Sequence, residues 1–207
     1  MKIVQQEWTW HTLPTPYKDM VFSISRAARN CYQSELKSFE EEEKFIKNLI
    51  KRGHQSPLEH VSLSLIITTD RGVLAELTRH RLSSFSVEST RFVKYTDDVE
   101  FIRPVWYENF DYDVFKATSY ELWKLACEKS EEYYKRLVFE YKAQPQEARQ
   151  VLNMSLKTNV IMTSNLRQWK LILQQRTAKD AHPQMIALMT SILNTFKKEF
   201  PVFFEDI

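Results

Sequence analysis

Only two glycines, Gly53 and Gly72, occur among 207 residues. Glycine-rich phosphate loops need several, because a side chain keeps backbone N–H groups away from the phosphate. P-loop NTPases and dinucleotide-binding Rossmann domains are thereby excluded, and any bound nucleotide must be gripped by side chains. Cysteine is equally scarce. Cys31 and Cys127 lie far apart on apolar faces of expected helices, which argues against a disulfide framework and for buried thiols. Of the five histidines, His54 and His60 stand in a loop, no His-Glu-x-x-His helix exists, and neither cysteine has a close ligand partner. No metal site is expected. No run of ~18 apolar residues occurs, and the opening MKIVQQEWTWHTLP lacks the apolar stretch of a secretory signal. The expectation is a cytoplasmic chain with no membrane partner. A net charge of +2 is too mild for general nucleic-acid binding, so the basic residues matter through local clustering.

What remains is a chain 43% apolar and 27% charged, enough for a sizeable core and without a linker, repeat or low-complexity tract. The pattern predicts one α+β domain over residues 1–207: a small mixed or antiparallel sheet packed by several helices, one of them long. Lys2 to Gln5 reads as a short strand, and Trp8, Trp10, Pro14 and Pro16 mark an irregular segment. Val21, Ile24, Ala28 and Cys31 recur at helical intervals from Asp19 onward. Ser38 with Glu41 is a capping box; Ile46, Leu49 and Ile50 follow as a stripe, Lys51 and Arg52 close the helix, and Gly53 stops it. Val61, Leu63, Leu65 and Ile67 alternate with polar residues as in a half-buried strand, and Asp70 starts a helix. Arg91 to Tyr95 reads as a strand and Asp97 to Asn109 as loop. Residues Asp111 to about Lys142 form the long helix, with Leu122, Ala126, Tyr133, Leu137 and Tyr141 on one stripe and Pro145 ending it. MSLKTNVIMTS is a strand or buried segment entering a helix from Leu166 to about Gln175, and Gln184 to Lys198 is the last helix.

The most informative stretch is RHRLSSFSVESTR, residues 79–91, with three guanidiniums, an imidazole and several hydroxyls. Arginine forks onto phosphate with two hydrogen bonds and keeps its charge at any working pH, while hydroxyls fill the remaining acceptor positions. The guest is an anion, and a small phosphorylated one. Arg79 to Arg81 read as the end of a helix carrying Val73, Leu74 and Leu77, and LSSFSVEST as a loop. Taken singly, each arginine reads as a cap on the helix dipole and each serine as part of a turn; the whole arrangement does not.

Arg79-His80-Arg81, seven residues and then Ser89 also resembles the signature of the flavin-dependent thymidylate synthases. AARNCYQS, HQSPLEH, ARQVLNMSLKTNVIMTSNLRQW and Arg176 extend the likeness from about Ala27 to about Gln184. The resemblance implies reductive methylation of dUMP to dTMP, with methylenetetrahydrofolate as carbon donor and FAD reduced by NADPH as hydride source, in a homotetramer. It places dUMP on Glu76, Arg79, Glu88, Ser89, Arg91, Arg149 and Arg176, and FAD on Ser56, Arg79, His80, Arg81, Asn165 and Arg167. Arg176, matching the arginine set against the uracil ring, is the implied catalytic residue. Read without the resemblance, Glu76 is a partner for a neighbouring arginine, His80 a structural histidine, Asn165 a helix N-cap and Arg176 a cation at a helix C-terminus. Val87 stands where many members carry Glu or Gln, and Asn153 where Val-Leu-Pro is usual. Both departures permit an alternative, a noncatalytic flavin- and nucleotide-binding relative. A third reading, a helical adaptor whose basic loop binds RNA or acidic protein, predicts no flavin and strong salt dependence. Phe85 is the one aromatic residue inside the signature stretch, which argues against a base-stacking platform.

Overall fold

The computed structural model describes residues 1–108 and 113–207. Its elements, in order, are β1 (Lys2–Val4), β2 (Glu7–Trp10), α1 (Tyr17–Asn30), α2 (Phe39–Lys51), β3 (Ser62–Asp70), α3 (Arg71–Leu77), β4 (Ser83–Val87) and β5 (Glu100–Ile102). There follow α4 (Val114–Lys135), α5 (Pro145–Ala148), β6 (Lys157–Asn165), α6 (Leu166–Arg176), α7 (Pro183–Glu199) and α8 (Pro201–Phe204). The fold is α+β with small sheets and one long helix. Strands β1 and β5 pair in parallel, Ile3 opposite Phe101, and a four-stranded sheet runs in the order β2-β3-β6-β4.

By compactness the chain divides into two units. One comprises Met1–Glu7, Ile67–Arg79 and Ser86–Val160; the other comprises Trp8–Ile66, His80–Phe85 and Ile161–Ile207.

The first unit buries Val99, Phe101, Cys127 and Leu156 in one cluster and Tyr134, Val138 and Ala148 in another. Cys127 is buried as expected, with Asn153 donating its side-chain amide N–H to the sulfur at 3.3 Å. Asn153 also accepts from Ser155 N–H at 3.0 Å and donates its own backbone N–H to Ser130 Oγ at 3.2 Å. The departure at this position is a turn stabiliser. Helix α4 buries Cys127, Ser130, Glu131 and Tyr134, so the expected stripe is wrong: Leu122 and Tyr141 are 63% and 68% exposed. Apolar residues occur on more than one face of this helix, and periodicity alone chose the outer one. A π-turn, Arg136–Glu140, with Tyr141 N–H donating to Arg136 O, closes the helix before Pro145. Pro145 then occupies the first turn of α5 rather than ending α4, as suits a residue with no N–H to give. The expected start of the long helix at Asp111 lies outside the described residues, as does Asn109 at the end of the expected loop. Arg91 to Tyr95 is turn and coil, not a strand, and within the expected loop Glu100–Ile102 is a strand.

The second unit is aromatic. Trp10 stacks on Phe196 at 5.6 Å, and Trp8, Trp169, Phe200 and Phe204 meet the same ring. Trp8 and Trp10 therefore lie on a strand, β2, where an irregular segment was expected. The α2 capping box forms as read, with Ser38 and Glu41 exchanging bonds, and Gly53 takes a left-handed turn at φ 76° that β-carbon-bearing residues resist. Strand β3 buries Leu63, Leu65 and Ile67. Cys31 sits beyond the end of α1 and is exposed, contrary to expectation. Lys170, 2% exposed, donates to Phe203 O at 2.7 Å and to the Asp206 carboxylate, tying α6 to the segment around α8.

Candidate active site

Helix α6 delivers one part of the candidate site within the second unit. Leu166, Trp169, Ile172 and Leu173 are buried, three, six and seven residues apart, which gives the helix an inward stripe. Asn165 caps it, its side-chain oxygen accepting from Gln168 N–H at 2.8 Å, so the simple N-cap reading of Asn165 holds and its amide NH2 remains as a donor. The last residue is Arg176, half-buried. Its Nε–H donates to His80 Nε2 at 2.9 Å.

A guanidinium can only donate, so His80 Nε2 must hold a lone pair and the imidazole proton must sit on Nδ1. His80 is 6% exposed, and burial, with the Arg176 charge second, pushes it down to about 4. It is a neutral acceptor throughout the physiological range. The stretch that follows is not a loop. Ser83 to Val87 form β4, paired with β6, with Ser164 Oγ donating to Ser83 Oγ at 2.5 Å. Serines on an edge strand can point to water without cost, which hid the strand from a reading by composition. Arg81 and Ser56 are exposed in this unit. Arg167 pairs with Glu59 at 2.5 Å, both exposed.

The other candidates lie in the first unit. Helix α3 stops at Leu77 with Thr78 as its cap, so Arg79 follows the helix rather than closing its last turn; Glu76 is half-buried and Arg79 exposed. Asp70 caps α3 through Val73 N–H at 2.7 Å. Arg71, at the first helical position, donates to the backbone oxygen of Glu88 at 3.2 Å. The Glu88 carboxylate accepts from Tyr95 Oη at 2.8 Å, and Glu88 N–H donates to Asn159 O at 3.0 Å. Glu88 is thus held at its amide, its carbonyl and its side chain. Ser89 opens a tight turn, accepting at its carbonyl from Phe92 and Val93 N–H and at Oγ from Arg91 N–H at 3.3 Å. Arg149, the first residue of the 3-10 turn Arg149–Val151 that follows α5, donates to Thr90 Oγ1 at 3.2 Å. Arg91 is exposed and lies over the Phe92 ring at 5.3 Å. Beside Glu88 a cavity of about 490 Å³ is lined by Val93, Lys94, Tyr95, Lys157 and further charged residues.

Arg149 and the signature loop are therefore brought together, and so are His80 and Arg176. Ser56 and Arg167 are placed on an exposed surface, the second of them paired elsewhere. Thr90, Tyr95 and Arg71 support these groups and were not anticipated. Thr90 stands inside the signature and could have been found there; nothing in the sequence pairs Tyr95 or Arg71 with Glu88. Among the described residues no group of three or more His, Cys, Asp or Glu side chains could hold a metal ion, and no helix is long and apolar enough to cross a membrane.

The family described as thymidylate synthase complementing protein matches residues 15–202. The chain belongs to that family. Among curated proteins it is 31% identical over 193 residues to the flavin-dependent thymidylate synthase of Kosmotoga olearia, covering 89% of this chain and 84% of that one. It is 30% identical over 191 residues to a probable flavin-dependent thymidylate synthase of Mycobacterium phage D29, covering 87% and 80%. The flavin-dependent thymidylate synthase of Clostridium tetani is 29% identical over 211 residues, covering 92% and 82%.

Proposed function

We propose that this protein methylates dUMP reductively to dTMP, with methylenetetrahydrofolate as carbon donor and with FAD, reduced by NADPH, as cofactor. The observation that carries the reading is Arg176, half-buried and held by a neutral His80 inside a chain of this family. A fixed cation beside the uracil ring favours ionisation at N3 and leaves C5 more electron-rich, without reorganisation at the moment of reaction. Arg176 is the catalytic residue in this reading.

The nucleotide dianion falls to Arg79, Ser89, Arg91 and Arg149, with Glu76 accepting from a sugar hydroxyl and Glu88 held ready at the loop. Arg149 arrives pre-oriented by Thr90, so less side-chain freedom is lost on binding. For FAD, the donor set fits the group: Arg79 and Arg81 offer exposed guanidiniums to a pyrophosphate, Ser56 a hydroxyl, Asn165 its remaining amide donors, His80 its Nδ1–H, and Arg167 a cation shared with Glu59. Bound FAD supplies the hydride that completes the methyl group.

The reading includes a cytoplasmic homotetramer with folate and nicotinamide co-substrates and no nucleic-acid or membrane partner. Exposed Val114, Phe115, Leu122 and Leu125 on α4 support an assembled state, because apolar groups sharing one helix are favourably covered by another subunit. The test is release of tritium from C5-labelled dUMP by the purified protein with methylenetetrahydrofolate and NADPH, alongside its visible spectrum before and after dithionite. Flavin absorbance with steady tritium release is expected. A yellow protein that binds dUMP without releasing tritium would establish the noncatalytic relative instead, and a colourless one that ignores added FAD would sink both.

A further inference from the structure

Arg71 is a cation in an unhelpful place for its own helix. It occupies the first position of α3, where a positive charge opposes the helix dipole, and its Nε is buried without a hydrogen-bond partner, which is a cost in itself. What the rest of the side chain reaches accounts for the position. We propose that Arg71 is a positioning residue for the nucleotide: it ties Glu88 to Tyr95, the two ends of one turn, and so holds the backbone from which Ser89 offers its hydroxyl and Thr90 orients Arg149. The inference rests on the proposed dUMP contacts of that turn and goes beyond them, because Arg71 lies outside the signature and acts only through other residues.

The contacts close a ring within the first unit. Before the turn, Arg71 Nη2 donates to the Glu88 backbone oxygen at 3.2 Å; after it, the same guanidinium meets the Tyr95 hydroxyl. An arginine can only donate and a phenol has one proton, so Tyr95 Oη accepts from Arg71 and gives its own proton to the Glu88 carboxylate at 2.8 Å. Donors in series polarise one another, so the Arg71 charge strengthens the bond from Tyr95 to Glu88. At the root of the side chain, Arg71 N–H donates to Met154 O at 3.0 Å, which fixes the helix start from which the guanidinium extends. Between the two anchored ends, Ser89 O accepts from Phe92 and Val93 N–H, and Thr90 Oγ1 accepts from Arg149 at 3.2 Å. A turn whose ends are already tied has less freedom to lose when an anion arrives.

Two variants and two readouts test it. Arg71→Met keeps an apolar stem and removes the charge and its donors, whereas Arg71→Lys keeps the charge without the fork that spans both ends. Each is assayed for tritium release across dUMP concentrations with FAD bound, and amide hydrogen exchange is followed in the ligand-free protein. Expected for Arg71→Met is a rise of about tenfold in KM for dUMP with kcat within about twofold of the parent, and faster exchange at Phe92 and Val93 while the amides of α3 keep their rates. Arg71→Lys should fall between this variant and the parent. In a Tyr95→Phe background Arg71→Met should cost less than it does alone, because both changes open the same ring. Unchanged KM and exchange in Arg71→Met, losses that simply multiply in the double variant, or exchange that quickens in α3 as much as in the turn overturns the proposal. Should the parent itself release no tritium, the functional reading fails, while exchange at Phe92 and Val93 still decides whether Arg71 holds the turn.

Discussion

Arg176 and Arg91 carry the same charge under opposite conditions. The first is half-buried at a helix end, with its Nε–H fixed on an imidazole; the second is exposed in a turn, lying over the ring of Phe92. Arg149 falls between them, half-buried with one bond to a threonine hydroxyl. An exposed guanidinium is screened by water and salt and must be ordered when the ligand arrives, so its main contribution is to collect an anion. A guanidinium already immobilised contributes orientation, which is what a reaction needs more than binding does. In the proposed reading, the difference sorts these three arginines into binding and catalytic members.

The largest expected effect breaks the comparison at its fixed end. Arg176→Ala should lower kcat by roughly 10²–10³, the range for removing one preorganised stabiliser of developing charge, while the flavin spectrum persists. Near-normal turnover would reassign the catalytic role. Acid comes next. The folded chain binds the His80 proton only near pH 4, whereas the unfolded chain binds it near 6.5. Between those values the unfolded state holds more protons, so stability falls as pH drops through the window, by about 3 kcal/mol in all. Urea titrations from pH 7 to 4.5 should show this loss, and His80→Gln should flatten the slope; an unchanged slope means His80 does not carry it. A smaller effect sharpens the binding end. Arg149→Ala should raise the KM for dUMP by about tenfold and Arg91→Ala by less, because only the former discards an oriented cation. The reverse ranking, measured by tritium release across dUMP concentrations, would mean that orientation by Thr90 is irrelevant to binding.

Local signals were legible and distant pairings were not. The Ser38–Glu41 box, the Ile46, Leu49 and Ile50 stripe of α2 and the alternation in β3 each depend on neighbours within one or two turns, and each formed where the residues said. Strand β5 could not be read, since its three residues sit before Pro104 and pair with β1 about a hundred positions earlier. Strand β4 was hidden by its serines, which an edge tolerates, and β2 by the prolines that follow its tryptophans. The same division runs through the candidate site. Residue types and spacing in 79–91 announced an anion, but the bonds that orient the cations join positions 59 and 96 apart, and no periodicity encodes them. The simple readings of Asn165 and Arg176, a cap and a helix-terminal cation, both hold structurally; a residue can fill a local need and still present its remaining donors to a ligand.

The smallest effect concerns Tyr95, which holds Glu88 from the side. Its hydroxyl donates to the carboxylate at 2.8 Å, and burial, followed by that bond, raises its pKa well above the ordinary tyrosine value, so it stays a donor at every working pH. The ring packs edge-on against Tyr134 at 5.6 Å, and its backbone N–H donates to the Tyr134 hydroxyl. Tyr95→Phe keeps the ring and both of those contacts and removes the donor to Glu88, together with the hydroxyl oxygen that Arg71 also meets. A hydrogen bond to a charged group contributes about 1.5–3 kcal/mol, less where water can replace it, and Glu88 is half-buried. Arg71 and Asn159 still hold its backbone, so the loop should keep its path while the carboxylate gains freedom. The expected result is a rise of a few-fold in KM for dUMP, about 1 kcal/mol, with kcat and flavin absorbance little changed. A fall in kcat with KM constant would instead place the Glu88 carboxylate among the reacting groups, and would move the line between binding and catalysis from the arginines to the loop itself.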